Sequence, residues 1–254
     1  MARTLRSVLF IFLFYFTTLV QMIFWTPVFF FMKREDGWKV PRIWAVFTLW
    51  LQHVIIGTRY DFRGMEFLPG NEGCLVASKH QSSWETYVIL LFLQDPSYIL
   101  KRELMFVPFF GWFAKKMNVI PVNRGKRSEA LRAMTLDASQ QCKTGRQIVI
   151  YPEGTRKMAY AEPSYKFGIT HMYSNMDVTV VPVALNSGLF WPRNSLRLYK
   201  GTSILEFMPP IKPGLDADAF TQKMVDVIES KTSELMAEAQ SDPEYDGIRQ
   251  PETV

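Results

Sequence analysis

A histidine followed five positions later by a glutamate, His80 and Glu85 in the run KHQSSWET, brings an imidazole and a carboxylate into reach of each other. A carboxylate that accepts from one ring nitrogen fixes the tautomer and leaves the other nitrogen as a base for a hydroxyl. The spacing also has a purely structural account. Ser82 stands three residues before Glu85 and ahead of an apolar run, the arrangement of a capping box at a helix start. In that geometry the glutamate folds back toward the strand-to-helix loop that carries His80, so capping and orienting are compatible.

Two further loops carry groups suited to an anion. Residues 151–156, reading YPEGTR, follow one β-like run, and Arg124 follows another. Arg124 and Arg156 supply planar donors for a phosphate, Gly154 permits close backbone approach, and Thr155 adds a hydroxyl. A solvated loop with surface arginines is the plainer account of either arginine taken alone. Lys79, Lys101 and Lys166 are additional candidates for a phosphate contact. His53 and His171 have no metal-ligand neighbours and read as a hydrogen-bonding residue and a helix-face residue, so no metal is implied. Phe190 and Trp191 either touch lipid or close the core.

The elements that must position these groups alternate. Short β-rich runs at 74–78, 119–122, 147–151 and 179–185 are each followed by a loop or a helical pattern, the helices falling at 83–93, 128–142 and 165–175. This is an α/β rhythm, and in a largely parallel sheet the loops of His80, Arg124 and Arg156 all open at the strand carboxyl ends, where ligands of such sheets bind. Pro121 inside its run predicts an edge strand or a bulge. Residues 196–207 read as further strand and 216–239 as an amphipathic helix. The polar tail from Ser241 reads as disordered. Three segments result: 1–58, membrane-associated and helical; 59–240, a single catalytic-sized domain; and 241–254, the tail.

Residues 8–32 contain no Asp, Glu, Lys or Arg, and as a helix they reach roughly 37 Å, enough to cross a bilayer. Lys33, Arg34, Glu35 and Asp36 stand where a signal peptide would be cleaved, so the segment is expected to remain. A second apolar run at 43–57 is too short to span. Either the first helix spans, or both form a hairpin dipping into one leaflet with Pro27 breaking the first, the second being the preferred reading. The net charge of +5 and pI of about 9.1 fit attraction to anionic headgroups. No basic block or aromatic-basic platform suggests nucleic acid. Cys74 and Cys142 lack close-spaced partners, which predicts free thiols on a reducing, cytoplasmic side.

KHQSSWE, NVIPVNR, YPEGTR and VVPVAL occur in the order seen in glycerolipid acyltransferases, and the chain resembles the 1-acyl-sn-glycerol-3-phosphate acyltransferase family from about Phe62 to Pro209. The resemblance implies a mixed, largely parallel sheet flanked by helices, with an N-terminal apolar hairpin. It implies His80 as catalytic base, Glu85 in the place of the usual Asp, Arg124 as a glycerophosphate contact, and Glu153, Gly154, Thr155 and Arg156 in recognition of the acceptor phosphate. Pro121 stands where the family commonly has Phe. Val181, Pro182 and Val183 match a fourth motif of structural or donor-related role. The implied partners are membrane lipids, lysophosphatidic acid and an acyl donor, acyl-CoA or acyl-carrier protein. The donor is a substrate and no cofactor is implied. The implied location is the inner or cytoplasmic membrane, with the catalytic domain on the cytoplasmic side. Two alternatives accompany this reading: another lysophospholipid or a lyso-aminolipid as acceptor, and a non-catalytic membrane lipid-binding module.

Overall fold

A computed structural model describes residues 2–123 and 127–250. The chain opens with a long helix α1 (Ala2–Phe29), a short turn α2 (Arg34–Gly37) and helix α3 (Lys39–Ile56). Pro27 does not break α1 as expected. It lies in the last turn, where its missing N–H removes a single ladder bond, and the helix ends two residues later. Gly57, at φ 87°, terminates α3 in the left-handed conformation that suits glycine, and its N–H returns to the His53 carbonyl.

Then follow β1 (Thr58–Arg63), β2 (Cys74–Ser78), α4 (Trp84–Val88), β3 (Pro96–Lys101), α5 (Phe110–Lys116), β4 (Ile120–Val122) and α6 (Arg127–Cys142). The remainder is β5 (Gln147–Ile150), α7 (Phe167–Asn175), β6 (Val180–Leu185), β7 (Gly201–Phe207) and α8 (Ala217–Ser241). The strands form one seven-stranded sheet in the order β1-β7-β6-β2-β5-β3-β4. Every neighbouring pair is parallel except β6 with β7, so β6, β2, β5, β3 and β4 point their carboxyl ends to one edge. The expected mixed, largely parallel sheet is what the chain forms. Pro121 sits on the edge strand β4, as its missing donor requires. Pro182 lies in the interior strand β6. Its carbonyl accepts from the Met208 N–H at 2.9 Å, just past the end of β7, so the residue still takes part in pairing as an acceptor.

Central strands β2 and β5 are buried throughout, which is why they read as unbroken apolar runs. Their side chains alternate between two cores. Cys74, Val76 and Val149 face α4 together with Phe10, Phe14, Ala45 and Leu49 of the N-terminal helices. Leu75, Ala77, Ile148 and Ile150 face α6, α7 and α8. The N-terminal helices thus form one wall of the core as well as an apolar surface. Trp191 closes that wall, with its ring edge-on to Phe10 at 5.4 Å and Phe14 at 5.3 Å, and Phe190 is buried beside it. The tail differs from expectation. Asp242 and Glu244 pair with Arg59, Asp246 pairs with Arg3, and the Ile248 N–H donates to Leu189 O. Charge complementarity holds residues 242–248 in place without regular structure.

Candidate active site

The carboxyl end of β2 delivers Lys79 and His80, that of β5 delivers Tyr151 and Pro152, and that of β6 delivers Asn186 and Ser187, three neighbouring strands feeding one edge. His80 Nδ1 lies 2.9 Å from Glu85 Oε1, and its ring stacks on Tyr151 at 4.1 Å between centroids. Glu85 is fully buried. Its Oε1 also accepts from the backbone N–H groups of Gln81 at 2.8 Å and Ser82 at 2.7 Å, and its Oε2 accepts from Ser187 Oγ at 2.8 Å. Ser82 Oγ accepts from the Trp84 N–H at 3.3 Å and not from the Glu85 N–H, so only the glutamate half of the expected capping box forms. One carboxylate therefore caps the helix and orients the imidazole. Four donors compensate its burial, and an acceptor-only carboxylate makes Nδ1 the donor and Nε2 the acceptor. The side chain of His80 keeps 14% exposure, enough for Nε2 to meet a substrate.

Lys79 and Glu153 are both turned into the protein. Lys79 is buried, with Nζ 3.1 Å from Glu153 Oε1 and 2.7 Å from Glu229 Oε1 on α8, so it is not available to a phosphate. Glu153 Oε2 accepts from the His80 N–H at 3.2 Å. Burial raises the Glu153 carboxyl above its usual range, opposed by the Lys79 charge and hydrogen bond. A buried carboxylate engaged in this way ties the YPEGTR loop to the histidine loop. The residues after it in the motif are less buried. Gly154 adopts φ 67°, its N–H closing a turn onto Tyr151 O, and Thr155 and Arg156 are half-buried. Arg156 Nη1 donates to Ser83 Oγ at 2.6 Å, which brings its guanidinium to the start of α4 beside the histidine loop. The Lys157 N–H donates to His80 O, joining the two loops directly. Lys101 ends β3 at the same sheet edge and is exposed, and Lys166, whose N–H binds Pro152 O, is also exposed. Arg124 lies outside the described residues.

Four residues that sequence reasoning missed complete the site. Ser187 holds the second oxygen of Glu85. The Gln81 side chain accepts from Gly188 N–H, and Arg193 Nη1 donates to the Arg156 carbonyl. Their signal is positional, since all but Gln81 follow the VVPVAL strand, whose carboxyl end opens at this edge. Glu229 carries no such signal: it is one acidic residue on an amphipathic helix, and only packing brings it to Lys79. His53 Nδ1 meets Thr58 O at the end of α3, a structural contact.

Comparison with known proteins agrees with this geometry. Residues 59–186 match the Acyltransferase family model. Over 199 residues the chain is 34% identical to the 1-acyl-sn-glycerol-3-phosphate acyltransferase of Pseudomonas aeruginosa, covering 78% of this chain and 77% of that one. The chain belongs to the 1-acyl-sn-glycerol-3-phosphate acyltransferase family. Another member, the human 1-acyl-sn-glycerol-3-phosphate acyltransferase alpha, is 25% identical over 183 residues, 70% of this chain and 62% of that one. The crystal structure of the 1-acyl-sn-glycerophosphate acyltransferase of Thermotoga maritima shares the fold, with a TM-score of 0.79, 23% identity, and coverage of 92% of this chain and 98% of that one. As an acyltransferase of this family, the chain carries all four sequence motifs, with the histidine, YPEGTR and VVPVAL segments converging at one sheet edge.

Proposed function

We propose that this acyltransferase moves an acyl group from a thioester, acyl-CoA or acyl-carrier protein, to the sn-2 hydroxyl of lysophosphatidic acid. The observation that carries the proposal is the His80–Glu85 pair, a buried carboxylate held by four donors with the imidazole Nε2 left as acceptor. His80 Nε2 takes the proton of the acceptor hydroxyl as its oxygen attacks the thioester carbonyl. The tetrahedral intermediate collapses, the C–S bond breaks, and the proton passes from His80 to the departing thiolate. The products are phosphatidic acid and a free thiol. The acceptor alcohol is itself the nucleophile, so no enzyme serine or cysteine is acylated; Ser82 and Ser83 belong to the helix start. Arg156 and Thr155, together with Arg124, receive the acceptor phosphate, and Lys101 is a further cation at that edge.

The N-terminal helices bring this edge to the lipid. Both ends of α1 are tied to the catalytic domain, Ser7 to Leu198 at one end and Phe29 stacked on Phe113 at 4.0 Å at the other. A helix pinned at both ends to a water-soluble domain lies in one leaflet rather than crossing two, and its outer face, including Phe12, Phe16 and Phe24, is exposed. The catalytic domain is proposed to face the cytoplasm. Phosphatidic acid formation from lysophosphatidic acid and each thioester, in vesicles, tests the activity. Product from neither donor overturns it, and a panel of lysophospholipid acceptors distinguishes another headgroup.

A further inference from the structure

Residues 102–116 form a ledge to which the proposed reaction assigns no role. It leaves the carboxyl end of β3, at the sheet edge that carries His80. Within nine residues Leu104, Phe106, Val107 and Trp112 are 40, 73, 44 and 52% exposed. The backbone that carries them is held in a tight turn. Phe109 adopts φ 61°, the Gly111 N–H closes onto Val107 O at 2.8 Å, and a Cβ on Gly111 would lie 2.0 Å from Met105 O. Only glycine allows α5 to sit this close to the preceding 3-10 turn. The inner side of the ledge is fastened to α1. Phe113 stacks on Phe29, and Lys116 Nζ donates to Met32 O at 2.6 Å while lying over the Phe29 and Phe30 rings. The exposed apolar face of α1, which ends at Phe30 and the 93% exposed Phe31, therefore continues into the ledge. Exposed Lys101, Arg102 and Lys115 bracket it, against one exposed acid, Glu103.

We infer that residues 104–112 are a third membrane-inserting element, which with α1 and α3 seats the active-site edge on an anionic bilayer. The occupant is a lipid surface because the patch is continuous with the apolar face of α1 and its rim is basic, the pattern of an interfacial anchor. A preformed aromatic ledge enters the interface without an ordering cost, and Trp and Phe are suited to that depth. The inference rests on the proposed action on a membrane-borne acceptor, and its test separates the two.

Full-length Phe106→Cys is labelled with an environment-sensitive fluorophore and mixed with vesicles of phosphatidylglycerol and phosphatidylethanolamine. Lys143→Cys, next to Cys142 at the opposite edge of the sheet, is the control. The expected result is a blue shift and protection from iodide at position 106 and neither at 143. No shift at 106, or a shift without vesicles that grows with protein concentration, overturns the inference, the second outcome indicating a second copy as occupant. Phe106→Asp is expected to raise KM for vesicle-borne lysophosphatidic acid about tenfold and to keep parental kcat on a monodisperse short-chain acceptor. Equal loss on both substrates overturns it as well. Failure of the parent to transfer acyl groups would sink the proposed function and leave the fluorescence result standing.

Discussion

Glu85 joins two tasks that are usually separate, closing the first turn of α4 and holding the tautomer of His80, and the two can be told apart by substitution. His80→Ala is expected to lower turnover by roughly 10²–10⁴ in protein that keeps its fold, the range for a positioned base. Glu85→Gln keeps the side-chain volume and an acceptor oxygen but not the charge that steadies an imidazolium. It is expected to slow turnover less than His80→Ala, by roughly tenfold or more, in the same vesicle assay. Lys79 makes the opposite prediction. Buried between Glu153 and Glu229, it stabilises two carboxylates. Lys79→Met is expected to cost about 3 kcal/mol in denaturant unfolding, with part restored by adding Glu229→Gln. A phosphate contact would instead raise KM for the acceptor and leave stability alone.

At the scale of elements, the join between the N-terminal helices and the sheet depends on Asp95, just before β3. Its carboxylate accepts from Arg34 of α2 at 2.6 and 2.8 Å and from the Trp38 Nε1 at 3.1 Å, with Arg146 3.3 Å away. Burial by itself raises the Asp95 carboxyl, but the Arg34 hydrogen bond and the charges of Arg146 and Arg34 outweigh it and hold the group below its usual range. A depressed carboxyl contributes stability above its unfolded value, near pH 4, and loses it as pH falls through the lower folded value. Asp95→Asn is therefore expected to cost about 2 kcal/mol at pH 7, measured by thermal unfolding. Its midpoint should fall less steeply than the parent's below pH 4.

Across the whole molecule, the apolar N-terminus is part of the fold and not a detachable anchor. Phe10 is fully buried against Trp191 and shares a core with Val76 and Val149. Phe10→Ala is expected to cost about 3 kcal/mol or more, read by denaturant unfolding in micelles. Removal of residues 1–38 should leave an aggregating chain and not a soluble catalytic domain. The same close packing shields both thiols. Burial pushes Cys74 and Cys142 up to about 12, so neither is expected to alkylate at pH 8 until the protein is denatured.

What could be read from the residues alone was whatever local chemistry dictates. Continuous apolar runs marked β2, β5 and β6 because strands buried on both faces need no polar positions, Ser82 and Glu85 marked the start of α4, and Pro121 marked an edge. The motif order marked the family. Strand β1 escaped notice because its edge position leaves Arg59, Asp61 and Arg63 in ion pairs at the surface. Strand β3, PSYILK, is short and begins with proline. Only the tertiary structure decided which side Lys79 faces, because a lysine next to His80 has the same spacing whether it meets a phosphate or Glu229, 150 residues away. The same holds for Ser187 on Glu85, for the tail on Arg59, and for α1 as a wall of the core. Each is a contact between segments distant in the chain, and spacing along a sequence carries no information about partners that only folding brings together.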